Sequence, residues 1–318
     1  MSGPPAHLAA ATRAWLARVL RPGERVVTAE VLGGGWTSDM RLLRTTEREL
    51  VLRSFTAPFF RRHAPGLLTR EADVLRLLDG SGIPAAQLVA VDPTGAHCAA
   101  PSLLMTRLPG TLRLGARRDT DRGTAPALAD LLTRVHGLRV DADDRPRAYQ
   151  AWTGPERVAV PPGTARPGLW RRAVAVIDRE PPAYEGRFLH RDFHPGNVLF
   201  TPEGRVGGVV DWVETSWGPA DLDVAHCATA LALLHGPDHG LAFADLYEAA
   251  GGVLTAAPDD HLYWRLLDAL AFAPDAERVA TPWRTMGRTD LTPQLLTDRL
   301  EHYVAALLDR YGTRATTA

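Results

Sequence analysis

The sequence predicts an α+β chain of two lobes, with strands first and helices after. Three observations carry this. Up to about residue 107, short apolar runs alternate with turn residues, the pattern of strands. Beyond it, apolar residues recur at helical spacing through most of the remainder. Among those helices lies one compact polar segment, His190-Arg191-Asp192-Phe193-His194-Pro195-Gly196-Asn197, followed at once by the apolar Val198-Leu199-Phe200. At 318 residues there is material for two lobes and their cores.

In the first lobe, Leu8, Trp15, Leu16, Val19 and Leu20 fall at helical spacing, so a short amphipathic helix opens the chain until Arg21-Pro22-Gly23 ends it. Val26 to Leu32 reads as a strand, followed by Gly33-Gly34-Gly35-Trp36-Thr37-Ser38 and a second strand from Met40 to Leu43. A glycine-rich turn between two strands suits a flap whose backbone N–H groups approach phosphates, with Ser38 supplying a hydroxyl. Glu49 to Phe55 is the next strand and carries Arg53. Arg70 to Leu78 is a helix ended by Gly80 and Gly82, and its Glu71 is the natural partner of Arg53. Two more strands follow, Ile83 to Val91 and Ser102 to Thr106, the second leading through Met105 and Arg107 into Leu108-Pro109-Gly110.

In the second lobe, Ala125 to His136 places Leu128, Leu131, Leu132 and Val135 on one helical face. Residues 141–168, rich in Asp, Arg, Pro and Gly, read as a long irregular insertion bordering the acceptor side of the polar loop. A helix from Leu169 to Arg179 precedes the loop. After it, a short hairpin leads to a strand, Val209-Val210-Asp211-Trp212, that ends in a carboxylate. Asp223 then opens an apolar helix, and further helices cover Leu241 to Ala249, Asp260 to Ala273 and Pro293 to Tyr311.

The loop places Asp192 five residues before Asn197, with His194, Pro195 and Gly196 forcing a turn between them. Asp192, Asn197 and Asp211 together make a base and two hard oxygen ligands, the set that holds a Mg²⁺-nucleotide beside a hydroxyl. The run His-Arg-Asp-Phe-His-Pro-Gly-Asn-Val-Leu-Phe closely resembles the aminoglycoside phosphotransferase family of small-molecule kinases. Trp212, the Gly218-Pro219 pair and Asp223-Val224-Ala225 extend the resemblance.

The resemblance implies a two-lobed protein-kinase-like fold. Residues 1–107 would form a small antiparallel sheet lobe with a helix, and residues 108–318 a larger, mainly helical lobe. It implies Asp192 as the base that takes the acceptor hydroxyl's proton, and Asn197 and Asp211 as Mg²⁺ ligands. ATP would contact Gly34, Gly35 and Ser38 of the flap, Arg53 held by Glu71, and a hinge formed by Met105 to Arg107. Arg53 stands where such kinases carry lysine, because all 36 basic residues of this chain are arginine. Asp223 would brace the catalytic loop, while Glu214 reads equally as an outer metal-site residue or a solvated carboxylate. A metal held by His190, Asp192 and His194, which alternate along the chain, is a weaker reading.

Composition narrows the rest. A net charge of −1 offers no basic surface for nucleic acid. Cys98 and Cys227 are too few for a disulfide framework, and no apolar run is long enough for a bilayer, so the cytoplasm is the expected location. The expected acceptor is a small molecule with a hydroxyl, first an aminoglycoside-type antibiotic. From Asp221 onward about 14 acidic residues stand against about 7 arginines, and Asp238, Asp259, Asp260 and Asp268 are the candidates to meet a cationic acceptor. Tyr263 and Trp264 would either stack on it or belong to the core. Macrolides, homoserine, choline-like alcohols and sugars are the alternative acceptors. A nucleotide-binding pseudokinase is the alternative without catalysis, and the sequence sets no oligomeric state.

Overall fold

The computed structural model describes residues 8–32, 38–115 and 123–312. In chain order the elements are α1 (Ala10–Val19), β1 (Val26–Val31), β2 (Asp39–Thr45), β3 (Glu49–Ser54), α2 (Pro58–Leu78), β4 (Leu88–Asp92), β5 (Ser102–Thr106), β6 (Thr111–Leu112) and α3 (Thr124–His136). There follow α4 (Pro167–Ile177), β7 (Arg187–Leu189), β8 (Val198–Phe200), β9 (Val206–Val209), β10 (Ser216–Gly218), α5 (Ala220–His235), α6 (Pro237–Ala249), α7 (Pro258–Ala269), α8 (Glu277–Thr285) and α9 (Pro293–Tyr311). Two compact units result: Met1–Thr111 with Gly207–Val213, and Leu112–Val206 with Glu214–Ala318. The first unit thus runs past the boundary expected at 107 and also takes in a later segment. Val209 explains why: its N–H donates to the Pro84 carbonyl at 2.8 Å, and Ala85 bridges it in parallel.

The first unit is an antiparallel sheet of order β1-β2-β3-β5-β4. One face is closed by α1, whose Trp15 and Leu16 pack with Leu43, Leu50, Leu52 and Leu104. In α2 the buried Leu68, Ala72, Leu75 and Leu78 form a helical stripe, with Glu71 beside it. That helix begins at Pro58, well before the expected Arg70, and runs through Pro65. Pro65-Gly66 reads as a breaker in sequence, yet one missing N–H does not outweigh burial of Ala64 before it and of the stripe after it.

The second unit is built around α5. Every residue from Ala220 to Leu234 is buried, which is what a helix apolar on all sides requires. It packs against α6, α7 and α9. At Gly240 in α6 a Cβ would come within 2.5 Å of the Ala228 carbonyl oxygen, so only glycine allows this approach of α6 to α5. Tyr263 and Trp264 are buried in α7 at 4% and 0% exposure, which assigns both to the core. The segment 141–166 is irregular apart from two single 3₁₀ turns and an isolated bridge from Ala148 to Trp217, as its composition predicts. The helix α8 was not expected; its run is short, polar and interrupted by Pro282. Among the described residues, no helix is long and apolar enough to cross a membrane.

Candidate active site

In the second unit, β7 ends at Leu189 and the polar loop begins. Asp223, fully buried in the first turn of α5, accepts from two successive loop amides: His190 N–H at 2.8 Å and Arg191 N–H at 2.7 Å. Two adjacent N–H groups can converge on one carboxylate because Arg191 takes a left-handed conformation, φ 72°. His136 supports the same carboxylate at 3.2 Å and is itself 2.7 Å from the Tyr247 hydroxyl. Burial raises the Asp223 carboxyl, but His136 and the neighbouring His190 and Arg191 outweigh it and lower it. Asp223 therefore clamps the loop from beneath. It does not cap its helix with its side chain.

The loop then turns through Pro195–Asn197. His194 folds back so that its Nδ1 accepts the Gly196 N–H at 3.0 Å, and a Cβ on Gly196 would come within 2.5 Å of that ring. Asn197 donates from its amide nitrogen twice, to the Asp192 carbonyl at 2.8 Å and to Asp192 Oδ2 at 3.0 Å. With the nitrogen committed, the amide oxygen is the atom Asn197 can offer to a cation.

Asp192 meets a residue that the sequence did not single out. Its Oδ1 lies 3.1 Å from His226 Nε2, and the Nδ1 of that ring lies 3.0 Å from Asp268 Oδ1. His226 and Asp268 are 4% and 3% exposed, and the ring is enclosed by Trp152, His194 and Phe272. Burial alone would make the imidazole hard to protonate, but the Asp268 and Asp192 carboxylates prevail and push it up to about 9. For Asp192, burial raises the carboxyl, but the His226 hydrogen bond and the neighbouring His194 and His190 rings hold it well below the usual carboxylate range. Asp192 is thus an anion at neutral pH, with a third of its side chain exposed. Such a carboxylate orients a hydroxyl and receives its proton late, which suits a loose phosphoryl-transfer transition state.

Asp192, His194 and His226 place possible ligand atoms within 4.8 Å of one another. A metal on this trio does not fit the hydrogen bonds. His194 Nδ1 accepts a backbone N–H, so its Nε2 carries the hydrogen, and both His226 nitrogens face carboxylate oxygens as donors.

A pH effect follows. A histidine held charged in the fold stabilises it fully below the unfolded value near 6.5, and that stabilisation is lost as pH rises towards about 9. We expect the wild type to lose about 3 kcal/mol relative to His226→Gln between pH 6.5 and 9, measured by urea unfolding. Parallel pH profiles for the two proteins would show that the ring is not held charged.

In the first unit, Arg53 lies on the central strand β3 and is 5% exposed. Its Nη1 contacts both oxygens of Glu71, at 2.9 and 3.0 Å, and Asp211 Oδ1 at 3.0 Å. Its Nε donates to the Ser38 hydroxyl at 3.1 Å, so Ser38 is tied to Arg53 through its oxygen. Although burial opposes its charge, Asp211 and Glu71 raise the guanidinium further above its ordinary value. Asp211 follows β9 with φ 64°; it and Arg191 are the non-glycine residues with positive φ among the described residues. Strained backbone of this kind concentrates at functional sites, and here it coincides with the loop and the expected metal carboxylate. Trp212 Nε1 to the Val209 carbonyl at 3.2 Å and Arg70 to the Val213 carbonyl at 3.2 Å fix the segment that carries Asp211.

Met105 sits inside β5, paired to Val51 on one side and Leu88 on the other. The Arg107 N–H donates to the Glu49 carbonyl at 3.3 Å, and its side chain pairs with the Glu49 carboxylate. Gly34 and Gly35 lie outside the described residues. Glu214 pairs with Arg147 at 2.7 Å.

The sequence profile of the phosphotransferase enzyme family matches residues 28–261, well over half of the chain. The chain belongs to that family. Solved structures similar to this phosphotransferase include a protein of Ralstonia eutropha provisionally assigned as an aminoglycoside phosphotransferase, at 17% identity over 94% of this chain and 98% of that one, TM-score 0.63. Macrolide 2′-phosphotransferase MphH of Brachybacterium faecium is 16% identical over 94% and 98%, TM-score 0.56. Choline kinase LicA of Streptococcus pneumoniae is 15% identical over 93% and 96%, TM-score 0.57. These likenesses show the fold: kinase-like, with an antiparallel sheet lobe and a helical lobe. The uncharacterized protein YcbJ of Bacillus subtilis strain 168 is 27% identical over 146 residues, a match spanning 42% of this chain and 46% of that protein.

Proposed function

We propose that this phosphotransferase moves the γ-phosphoryl group of ATP to a hydroxyl of a small molecule. The observation that carries the reading is the state of Asp192: a partly exposed carboxylate, kept ionised by His226, with the Asn197 nitrogen committed to it so that the amide oxygen is the atom left to face a cation. The acceptor oxygen forms a bond to the γ-phosphorus while the bond to the β–γ bridging oxygen breaks, ADP leaves, and the hydroxyl proton passes to Asp192. Most of the rate gain comes from positioning and charge stabilisation. Arg53, fixed by Glu71, neutralises phosphate charge, and Ser38 lies with it. Residues near Met105 and Arg107 border the adenine.

The oxygen of Asn197 and the carboxylate of Asp211, 39% exposed, are the hard donors that Mg²⁺ prefers, and these two residues would hold it. When bound, the ion neutralises charge on the β- and γ-phosphates. Chelation with EDTA is therefore expected to abolish transfer and added Mg²⁺ to restore it, followed as ADP formation. Transfer that persists in EDTA would remove Asn197 and Asp211 from the metal role.

An aminoglycoside remains the acceptor suggested by the family resemblance, and antibiotic resistance the role that would follow. Two of the carboxylates expected to meet such a cation are engaged elsewhere. Asp268 is buried on His226, and Asp260 pairs with Arg179 at 2.9 Å. The pseudokinase alternative has Arg53 in its favour and the prepared Asp192 against it.

A further inference from the structure

A cavity of about 220 Å³ lies within the second unit, on the side of the loop that carries Arg191. Its wall includes Arg147, Arg157 and Arg191 together with Trp152, Glu214 and Ser216. Three guanidinium groups thus face one carboxylate, and that carboxylate is already bound to Arg147 at 2.7 Å. The partner of Arg157 is Glu156 at 3.3 Å, an exposed pair of the kind that contributes little and is readily exchanged.

Two buried groups on this wall have no hydrogen-bond partner. Arg191 is 3% exposed; its Nη2 donates to the Gln150 carbonyl at 3.3 Å, but its Nη1 has no acceptor. Ser216 is 1% exposed, and its Oγ is likewise without a partner. Buried polar groups left unmade are costly and uncommon, and two on one cavity wall point to a missing third party. A guanidinium only donates, so what it lacks is an acceptor, and its planar edge matches carboxylate or phosphate oxygens.

The cavity is also close to the chemistry. Arg191 precedes Asp192 in the chain and covers the face of Trp152, with Cζ 4.2 Å from the ring centre. The same ring meets His226 edge-on at 4.9 Å, and His226 holds Asp192 at 3.1 Å. A small molecule anchored by one end against Arg191 therefore has its remaining atoms beside the loop that carries the base.

We propose that this cavity binds the anionic group, a carboxylate or a phosphate monoester, of the acceptor whose hydroxyl is phosphorylated. The inference rests on the phosphotransfer reading above and moves the expected acceptor from polycationic to anionic, since a cation would face the guanidinium excess.

The test uses the whole protein, Mg²⁺-ATP and four compounds on one six-carbon polyol: gluconate, sorbitol 6-phosphate, sorbitol and glucamine. Phosphorylated product is read by mass spectrometry. Binding is read separately from Trp152 fluorescence, with Trp152→Phe identifying its share of the signal. One of the two anions is expected to perturb Trp152 and to be used with a KM at least about tenfold below that of sorbitol, glucamine being poorest. Which anion it is separates the carboxylate from the phosphate source. Ser216→Ala is expected to raise KM for that anion by about fivefold at unchanged kcat, and the exposed Arg157→Gln by a similar factor. A hydroxyl with only a structural part in the fold would leave KM where it was. Equal or better use of sorbitol or glucamine would overturn the anionic class and leave phosphotransfer standing. Silence of Trp152 towards both anions would overturn it too. A Trp152 response with no ADP formed from any acceptor would support the anion site and overturn the phosphotransfer reading instead.

Discussion

Asp192→Ala is expected to lower turnover by about 10²- to 10⁴-fold while nucleotide binding stays within about twofold of wild type. The carboxylate does two things in this reading: it orients the acceptor hydroxyl and it takes the proton. Neither involves the nucleotide, so the loss belongs to kcat, with ADP formation and nucleotide titration measured side by side. Asp192→Asn refines the result, because it keeps the size but removes the charge, and its amide NH2 must face one of the two donors, Asn197 Nδ2 or His226 Nε2. It should fall nearly as far as alanine if charge is what matters. Turnover unchanged in both variants would remove Asp192 from the reaction. The substitution also strips His226 of one of its two anionic partners, so the pH at which this ring discharges should drop in the alanine variant.

The second large effect concerns stability. Arg53→Met leaves Glu71, 1% exposed, as a buried carboxylate without its cation. Breaking such a pair from one side costs about 3–5 kcal/mol, and urea unfolding should show it. Removing both partners, as Arg53→Met with Glu71→Leu, should recover most of that loss, because apolar side chains of similar size replace the pair. Turnover should not return with it, since the phosphates then lack their cation. That contrast separates the two roles of Arg53. Recovery of both stability and turnover would leave Arg53 a structural residue only.

Much of this was readable in the chain and some was not. The strands, α3, α9 and the polar loop follow from periodicity and turn chemistry, and the contact of Arg53 with Glu71 follows from a strand and a helix of complementary charge. His226 was hidden because it sits in an apolar run, Ala225-His226-Cys227-Ala228, where a lone histidine reads as core. A signal did exist: Asp223 and His226 are one turn apart, so a helix that presents the first to the loop also presents the second. Asp268 reads in sequence as one of several helix carboxylates that could meet a cationic acceptor. Its burial depends on His226, which no local rule supplies. The cavity depends on an irregular stretch, where Trp152 and Arg157 have no period to follow, meeting β10 and the loop. Boundaries failed where packing overrode local preference, as in α2 running through Pro65.

The enclosed state of α5 has a consequence for how such an enzyme changes over time. Its residues from Ala220 to Leu234 have no solvent face, and its polar members are committed to the loop, to α7 and to the Thr255 turn. A mutation on this helix therefore risks the whole fold before it alters any preference for acceptor. The irregular segment 141–166 is the opposite case: much of it is exposed, and it meets the helices through side chains such as Tyr149, Trp152 and Thr164. New acceptors, in nature or in directed evolution, should be reached by substitutions and insertions there, with the helix beneath acting as an invariant keel.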